Sequence, residues 1–485
     1  MGFAPWRFES SQPHCAREPM AASTLLPPGP RLPRALATLG WVKRPRPFLE
    51  RIRARYGDVF TLRIANERTW VMLGHPDGVR QVFTADPGVA RAGEANALLR
   101  PVLGARSLLL LDREEHLSRR KLMLPPFHGE RMQRYGDLMR EVAEAEIATW
   151  PVGHPRALLP SMQAITLEVI MRAVFGLRRG TELDRLRGLL RELLDWTVDP
   201  RRLLYMILLG PDRIERLTPL GRLVRRVDEA LLEELARRRD GDDLAGRDDI
   251  LSALLRARYE DGEPMADDEL CDQLITLLVA GHETTATALT WALERLVRHP
   301  ETLGRLREEV AAGEDAYADA VVRETLRLRP VLPIVLRHLS APMRIGEWHL
   351  PAGIALAPCI HLVHRHPDVY PEPASFRPER FLEQSPGTYS WIPFGGGVRR
   401  CLGASFALYE MRIVLAAIVA AGRLRPAATA AEHVVRRAIV WAPSRGGEVV
   451  LDRRGPQGSV PASEQAWPGG APTASERAET PTTGG

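Results

Sequence analysis

Phe394-Gly395-Gly396-Gly397-Val398-Arg399-Arg400-Cys401-Leu402-Gly403 is the stretch on which the reading of this chain turns. Its three consecutive glycines allow backbone angles closed to other residues and let the chain come close to a flat group. From Leu402 to Ala420 the residues are largely apolar at helical spacing. Cys401 therefore falls at a helix start, where free N–H groups and the helix dipole lower a thiol pKa. A thiolate so framed suits a metal, and on haem iron it donates electron density that favours O–O cleavage over oxygen carriage. Amides directed at the sulfur tune the iron's potential, Phe394 keeps water away from it, and Arg399 offers a fixed positive charge to a neighbouring acid. The bland alternative is a glycine-rich turn with an incidental cysteine.

Every fixed position of Phe-x-x-Gly-x-Arg-x-Cys-x-Gly is present in this string, which resembles the haem-ligand loop of the cytochrome P450 superfamily. The resemblance implies haem b (iron protoporphyrin IX) with Cys401 as its axial thiolate and metal ligand. Phe394, Arg399 and Gly403 would belong to the same cofactor-binding loop.

The rest of the composition is compatible with that and excludes other classes. The 485 residues are 45% hydrophobic, enough for a large core. Cys15, Cys271, Cys359 and Cys401 have no CxxC or framework spacing, so neither a disulfide scaffold nor a structural zinc site is indicated, and a reducing cytoplasm fits. No stretch of about twenty apolar residues is free of charge, since Leu402 to Ala421 is broken by Glu410 and Arg412, and the first residues lack the charged, apolar and small-residue regions of a signal peptide. A soluble protein without a membrane anchor is expected. The net charge is +5, yet of 66 Lys+Arg only Lys43 and Lys121 are lysine, a bias that points to a GC-rich genome. No basic run with interleaved aromatics supports nucleic-acid binding. A basic face for an acidic electron donor is compatible with the charge, as is a merely solvated surface.

Along the chain, residues 1–24 have no periodic pattern and are expected to be a disordered extension, with Met20 an alternative start to Met1. Leu26 to Pro30 is a stiff extended entry, followed by a helix around Pro47 to Tyr56. Asp58 to Ile64 and Thr69 to Leu73 alternate like a hairpin. Residues 112–330 consist mainly of successive amphipathic helices, and short strands return between Met343 and Pro358. Residues 454–485, rich in Gly, Pro, Ser, Thr and Glu, are expected to be a floppy tail. There is no internal repeat.

The longest helix is expected over Asp267 to His299, with Asp267, Asp268 and Glu269 in its first turn. At its centre, Ala280-Gly281-His282-Glu283-Thr284-Thr285 interrupts an apolar run with a glycine, a carboxylate and hydroxyls. Gly281 removes a side chain where a ligand approaches, and Thr284 can bond back to a carbonyl one turn earlier. A solvated polar patch is the plain alternative. The segment resembles the superfamily's oxygen-activation motif, which implies that Thr284 hydrogen-bonds the oxygen being activated and an ordered water. Glu283 would relay protons from solvent. Ala280 and Gly281 would face the cofactor, and His282, one position off that face, is not expected to be a ligand.

Glu324-Thr325-Leu326-Arg327 pairs opposite charges on one helix face. By resemblance it is joined by Arg380 of Pro378-Glu379-Arg380-Phe381 in a buried cluster with a structural role. His116 and Arg120 match the superfamily's propionate-binding helix, with Arg119 a competing candidate, and Arg337 and Arg399 match two further propionate contacts.

The motifs arrive in family order, which implies one mainly α domain with small β-sheets over residues 25–453. By resemblance to soluble bacterial, and more narrowly actinobacterial, members it is a cytoplasmic haem-thiolate monooxygenase. It would insert one atom of O2 into a hydrophobic small molecule, with electrons from a separate ferredoxin or flavodoxin plus reductase. The pocket would be lined from residues 87–111, 190–225, the helix before Gly281, and 331–336. A peroxygenase or isomerase on the same fold, and a haem sensor, are the alternatives.

Overall fold

The computed structural model describes residues 26–454 except 66, 128–130, 177–180, 199–212, 215–217 and 242–243. The expectations for residues 1–24 and for the tail beyond 454 lie outside the described residues, as does much of the expected pocket segment 190–225.

Two helices the sequence suggested only in part open the fold, α1 (Arg34–Lys43) and α2 (Pro45–Tyr56). The Pro27-Pro28-Gly29 entry runs along the first strand, where Thr61 donates from its backbone to the Pro28 carbonyl (2.9 Å) and from its hydroxyl to that of Pro27 (2.6 Å). The hairpin forms as expected from β1 (Val59–Arg63) and β2 (Thr69–Leu73), paired antiparallel. Alternation there puts Phe60, Leu62, Trp70 and Met72 into a core with Trp41 and Leu49. With β3 (Ala90–Arg91), β5 (Arg337–Leu339) and β8 (Ala355–Pro358) they make a mixed sheet of order β1-β2-β8-β5-β3, in which β2 and β8 run parallel. The smaller sheets are β6 (Met343–Ile345) with β7 (Trp348–Leu350), β10 (Val434–Arg437) with β11 (Val440–Pro443), and β4 (Pro155–Ala157) with β9 (Gly422–Pro426) and β12 (Glu448–Arg454).

Helices that matter to the site are α3 (Pro76–Phe83), α4 (Ala92–Ala95), α5 (Arg113–Met123), α6 (Arg131–Ala148), α7 (Leu159–Phe175), α8 (Thr181–Val198), α9 (Leu220–Asp240), α10 (Asp267–Leu296), α11 (Pro300–Ala312), α12 (Ala316–Leu328) and α13 (Ala404–Ala421). α10 is the axis of the molecule, 30 residues long and so about 45 Å. Its start is held by Glu269, whose carboxylate accepts from the Ala266 N–H (3.1 Å) and from Arg119 on α5 (2.6 Å). α10 packs on α7 along most of its length, and from Ala286 to Leu296 every residue is buried.

Among the described residues α13 is the one helix long and apolar enough to cross a membrane, and half of it is buried in the protein against α6, α10, α11 and α12. Glu410 lies within it, buried, with burial driving its carboxyl well above the usual range.

The Glu324–Arg327–Arg380 cluster forms as expected. Arg327 donates to both Glu324 oxygens (2.6 and 2.8 Å) and to the carbonyls of His364, Pro373 and Ser375, while Arg380 reaches Glu324 at 3.3 Å. Glu324 and Arg327 are wholly buried. Arg327 thereby fastens α12 to the meander before the Cys401 loop.

Candidate functional site

The Cys401 loop turns because Gly395 (φ 70°) and Gly397 (φ 62°) occupy the left-handed region. The close approach the glycines permit is, within the protein, to α3. A Cβ on Gly396 would overlap the Phe83 ring, and one on Gly397 would overlap the Phe83 carbonyl. The loop closes when the Cys401 N–H donates to the Phe394 carbonyl at 2.9 Å, and the Phe394 ring packs edge-on to Trp391 with centroids 6.0 Å apart.

Cys401 lies two residues before Gly403, the N-cap of α13. Its surface is accessible, yet burial is the largest influence on its thiol, so the access is to the interior of the domain. Burial raises the thiol pKa, while the Gly403 N–H bonded to the sulfur and the charges of Arg120 and Arg400 lower it; the net direction is upward. The sequence-based expectation of a lowered thiol pKa therefore fails for the protein alone, because desolvation exceeds the helix-start effect. A cation bonded to the sulfur reverses that balance, since a coordinating thiol is deprotonated outright.

Beside the thiol, four basic groups converge from three directions. His116 and Arg120 come from α5, Arg337 from β5, and Arg399 from the loop itself. They act on one another: burial, then Arg399, Arg120 and Arg337 together push the His116 imidazole down to about 3. Burial, then Arg399, lowers Arg337 to about 10, and burial brings Arg399 to about 10 despite Asp112. Asp112, which the sequence reading missed, accepts from Arg399 and also from the N–H groups of Ala92, Gly93 and Glu94 at 2.9–3.0 Å. A single carboxylate shared in this way leaves the cluster strongly cationic, a donor set that fits a dianionic group such as the two haem propionates. Arg119, the competitor of Arg120, is committed elsewhere, to Glu269 and to the face of Tyr259 at 5.7 Å.

On α10, Ala280 is exposed and Thr284 half-buried although both lie mid-helix, so this face borders an interior space. Thr284 Oγ1 donates to the Ala280 carbonyl at 2.7 Å, the back-bond expected from sequence. A Cβ at Gly281 would meet only Ile170, at 3.7 Å, so packing within the protein does not itself demand glycine there. His282 points to α7, with Nδ1 3.0 Å from the Thr166 hydroxyl, and burial holds its pKa down at about 4.

Glu283 is 7% exposed. It accepts from Gln163 Nε2 on α7 at 2.5 Å, and Arg437 of β10 stands 3.7 Å away. Burial raises its pKa, with Gln163 and Arg437 opposing and Asp195 of α8 adding to it. Gln163 and Arg437 were invisible to sequence reading, because nothing local marks either as a partner of α10. Asp195 and Arg191 line a cleft of about 650 Å³ between α8 and α9, together with Trp196, Pro219 and Leu223. Arg191, Glu192 and Asp195 make this cleft charged. Among the expected pocket segments, Leu98, Leu99 and Leu332 are partly buried against the core.

The comparisons with known proteins agree with this geometry. The cytochrome P450 family model matches residues 27–446. A protein of Mycobacterium tuberculosis described as putative cytochrome P450 135B1 is 43% identical over 87% of this chain and 91% of its own length. Another from that organism, putative cytochrome P450 138, is 40% identical over 88% of this chain and 97% of its own length. Among solved structures, retinoic acid-bound cyanobacterial CYP120A1 superposes with a TM-score of 0.74 at 24% identity, over 89% of this chain and 100% of that one. The haem domain of cytochrome P450DA gives the same score and identity over 88% and 97%. At that identity the structural matches speak for the fold alone.

Proposed function

The chain belongs to the cytochrome P450 family of haem-thiolate monooxygenases, and on that premise we propose that it oxygenates a hydrophobic organic compound at haem b bound by Cys401. The reaction takes O2, two electrons and two protons, places one oxygen atom in the substrate and releases the other as water. When bound, the haem supplies oxygen activation, with thiolate donation favouring O–O cleavage.

What the chain contributes follows from its own side chains. Cys401, beneath the Gly403 N–H, is the ligand; Phe394 shields it. His116, Arg120, Arg337 and Arg399 hold the propionates, and Ala280, Gly281 and Gly403 give the ring room. Thr284 turns its hydroxyl toward the interior space, and Glu283 carries protons inward from the charged cleft at Asp195. Burial moves the Glu283 pKa upward, the direction that brings a carboxyl closer to the operating pH of a proton carrier. Electrons come from a separate ferredoxin or flavodoxin and its reductase, in a bacterial cytoplasm. The observation that carries the reading is the cluster of Arg120, Arg337 and Arg399 around a neutral His116, beside an accessible interior cysteine.

The test is turnover of a hydrophobic substrate library with a surrogate ferredoxin and reductase against turnover with hydrogen peroxide. Coupled product formation in the first, and peroxide release by Thr284→Ala with its haem retained, is the expected result. Turnover with peroxide alone would place the protein among peroxygenases.

A further inference from the structure

A helix on the surface of a globular domain turns its apolar stripe inward. α1 does so only with Ala37 and Trp41, which are buried. On its other side Leu36, Leu39 and Val42 are 54%, 52% and 40% exposed, and Leu32, one turn ahead, is 43% exposed. Leu36, Leu39 and Val42, three apart, form one stripe on the helix, and Leu32 stands in the extended segment ahead of it. They account for four of the nine large hydrophobic side chains that stand exposed among the described residues.

The surroundings of this stripe are cationic. Residues 31–56 hold eight Lys and Arg against Glu50 alone, an excess larger than the net charge of the entire chain. Arg31, Arg34, Lys43, Arg44, Arg51 and Arg55 are exposed. Among the described residues the Lys and Arg ion pairs of this stretch are Arg46–Glu50 and Arg53–Asp58, which leave the exposed cations outside any pair.

We propose that α1 and its flanks form a peripheral docking surface for an anionic phospholipid bilayer. The leucines and Val42 enter the headgroup–acyl boundary, while Arg31, Arg34, Lys43 and Arg44 meet lipid phosphates. Binding in a membrane interface grows with the apolar area buried there and with attraction to anionic lipid, and α1 supplies exposed leucines with Arg34 at one end and Lys43 and Arg44 at the other. A protein partner is less well matched: of the anchors on which protein interfaces chiefly depend, Trp and Tyr are missing from the exposed stripe and arginine alone is present beside it. The inference stands on α1 and is independent of the proposed reaction.

The test is co-sedimentation of the full-length holoprotein with vesicles of phosphatidylcholine alone and of phosphatidylcholine mixed with phosphatidylglycerol. Binding to the mixed vesicles should be at least about tenfold tighter and should weaken with added salt. Leu36→Ser with Leu39→Ser, and separately Arg34→Gln with Lys43→Gln and Arg44→Gln, should each lower it about tenfold. Circular dichroism and the reduced CO-bound spectrum should be unchanged, as should the binding of a control Leu382→Ser. Equal binding to both vesicle types, binding indifferent to the α1 substitutions, or loss of binding to an acidic ferredoxin by the same variants without any vesicle dependence would overturn the proposal.

Discussion

Gln163 and Glu283 join α7 to α10 through a hydrogen bond of 2.5 Å from amide to carboxylate, while the second Glu283 oxygen is buried without a hydrogen-bond partner among the described residues. The pair makes one contribution to the pH dependence of stability. Because burial raises the Glu283 pKa, the folded protein holds that proton more tightly than the unfolded chain. Its stability therefore falls as pH rises from the unfolded carboxyl value, about 4.3, through the higher folded one. Glu283→Gln removes this loss. It should be more stable than the parent at neutral pH by about 1 kcal/mol, with the gain vanishing below about pH 4. Thermal melts across pH read the stability, and product formation should fall about a hundredfold in the same variant.

Cys401 contributes little to the protein's packing, being accessible and fixed mainly through its backbone bond to Phe394. Cys401→Ser should therefore leave stability within about 0.5 kcal/mol by denaturant unfolding of the haem-free protein. The reduced CO-bound form should lose its thiolate-specific absorption, together with all turnover. A variant keeping that absorption would refute the ligand assignment.

Arg119 and Arg120 are neighbours with opposite expected phenotypes. Arg119→Ala takes the 2.6 Å charged partner from the half-buried Glu269 carboxylate at the start of α10, which keeps its bonds from the Ala266 N–H and the Tyr259 hydroxyl, and should cost about 2 kcal/mol of stability without changing haem affinity. Arg120→Ala thins the cation cluster instead. Haem titration should show weaker binding by about tenfold, with a melting temperature of the haem-free protein close to the parent's.

Arg327→Ala leaves Glu324 buried without its bidentate partner and frees three carbonyls. A loss of about 3–5 kcal/mol follows, and Arg327→Lys should recover little of it because an ammonium cannot reproduce the fork of donors. Equilibrium unfolding or soluble yield measures both.

Much of the architecture was open to reading from local patterns. The β1–β2 hairpin, α10 and α13 all announce themselves through alternation or helical periodicity and lie within three residues of their expected ends. α1 was missed because its exposed side is as apolar as its buried one, so no single stripe marks it. β9 to β12 were missed because short strands near the end of the chain depend on partners far away, such as β4 for β12.

At the site, the linear string around Cys401 by itself determined the family and the tight turn before a helix, since turn glycines, cysteine and helix start are local features that act through neighbouring atoms. Ala280 to Thr285 likewise declared a polar break within a buried helix. What only the tertiary structure decided is which distant groups share one electrostatic environment. It brought Arg120, Arg337 and Arg399 around His116, gave Asp112 to Arg399, and set Gln163 and Arg437 on Glu283. It also reversed the expected direction for the Cys401 thiol. Such effects depend on burial and on through-space charge at a few ångströms, and residues hundreds of positions apart acquire that proximity only when α5, β5, α7, α10 and the cysteine loop pack together.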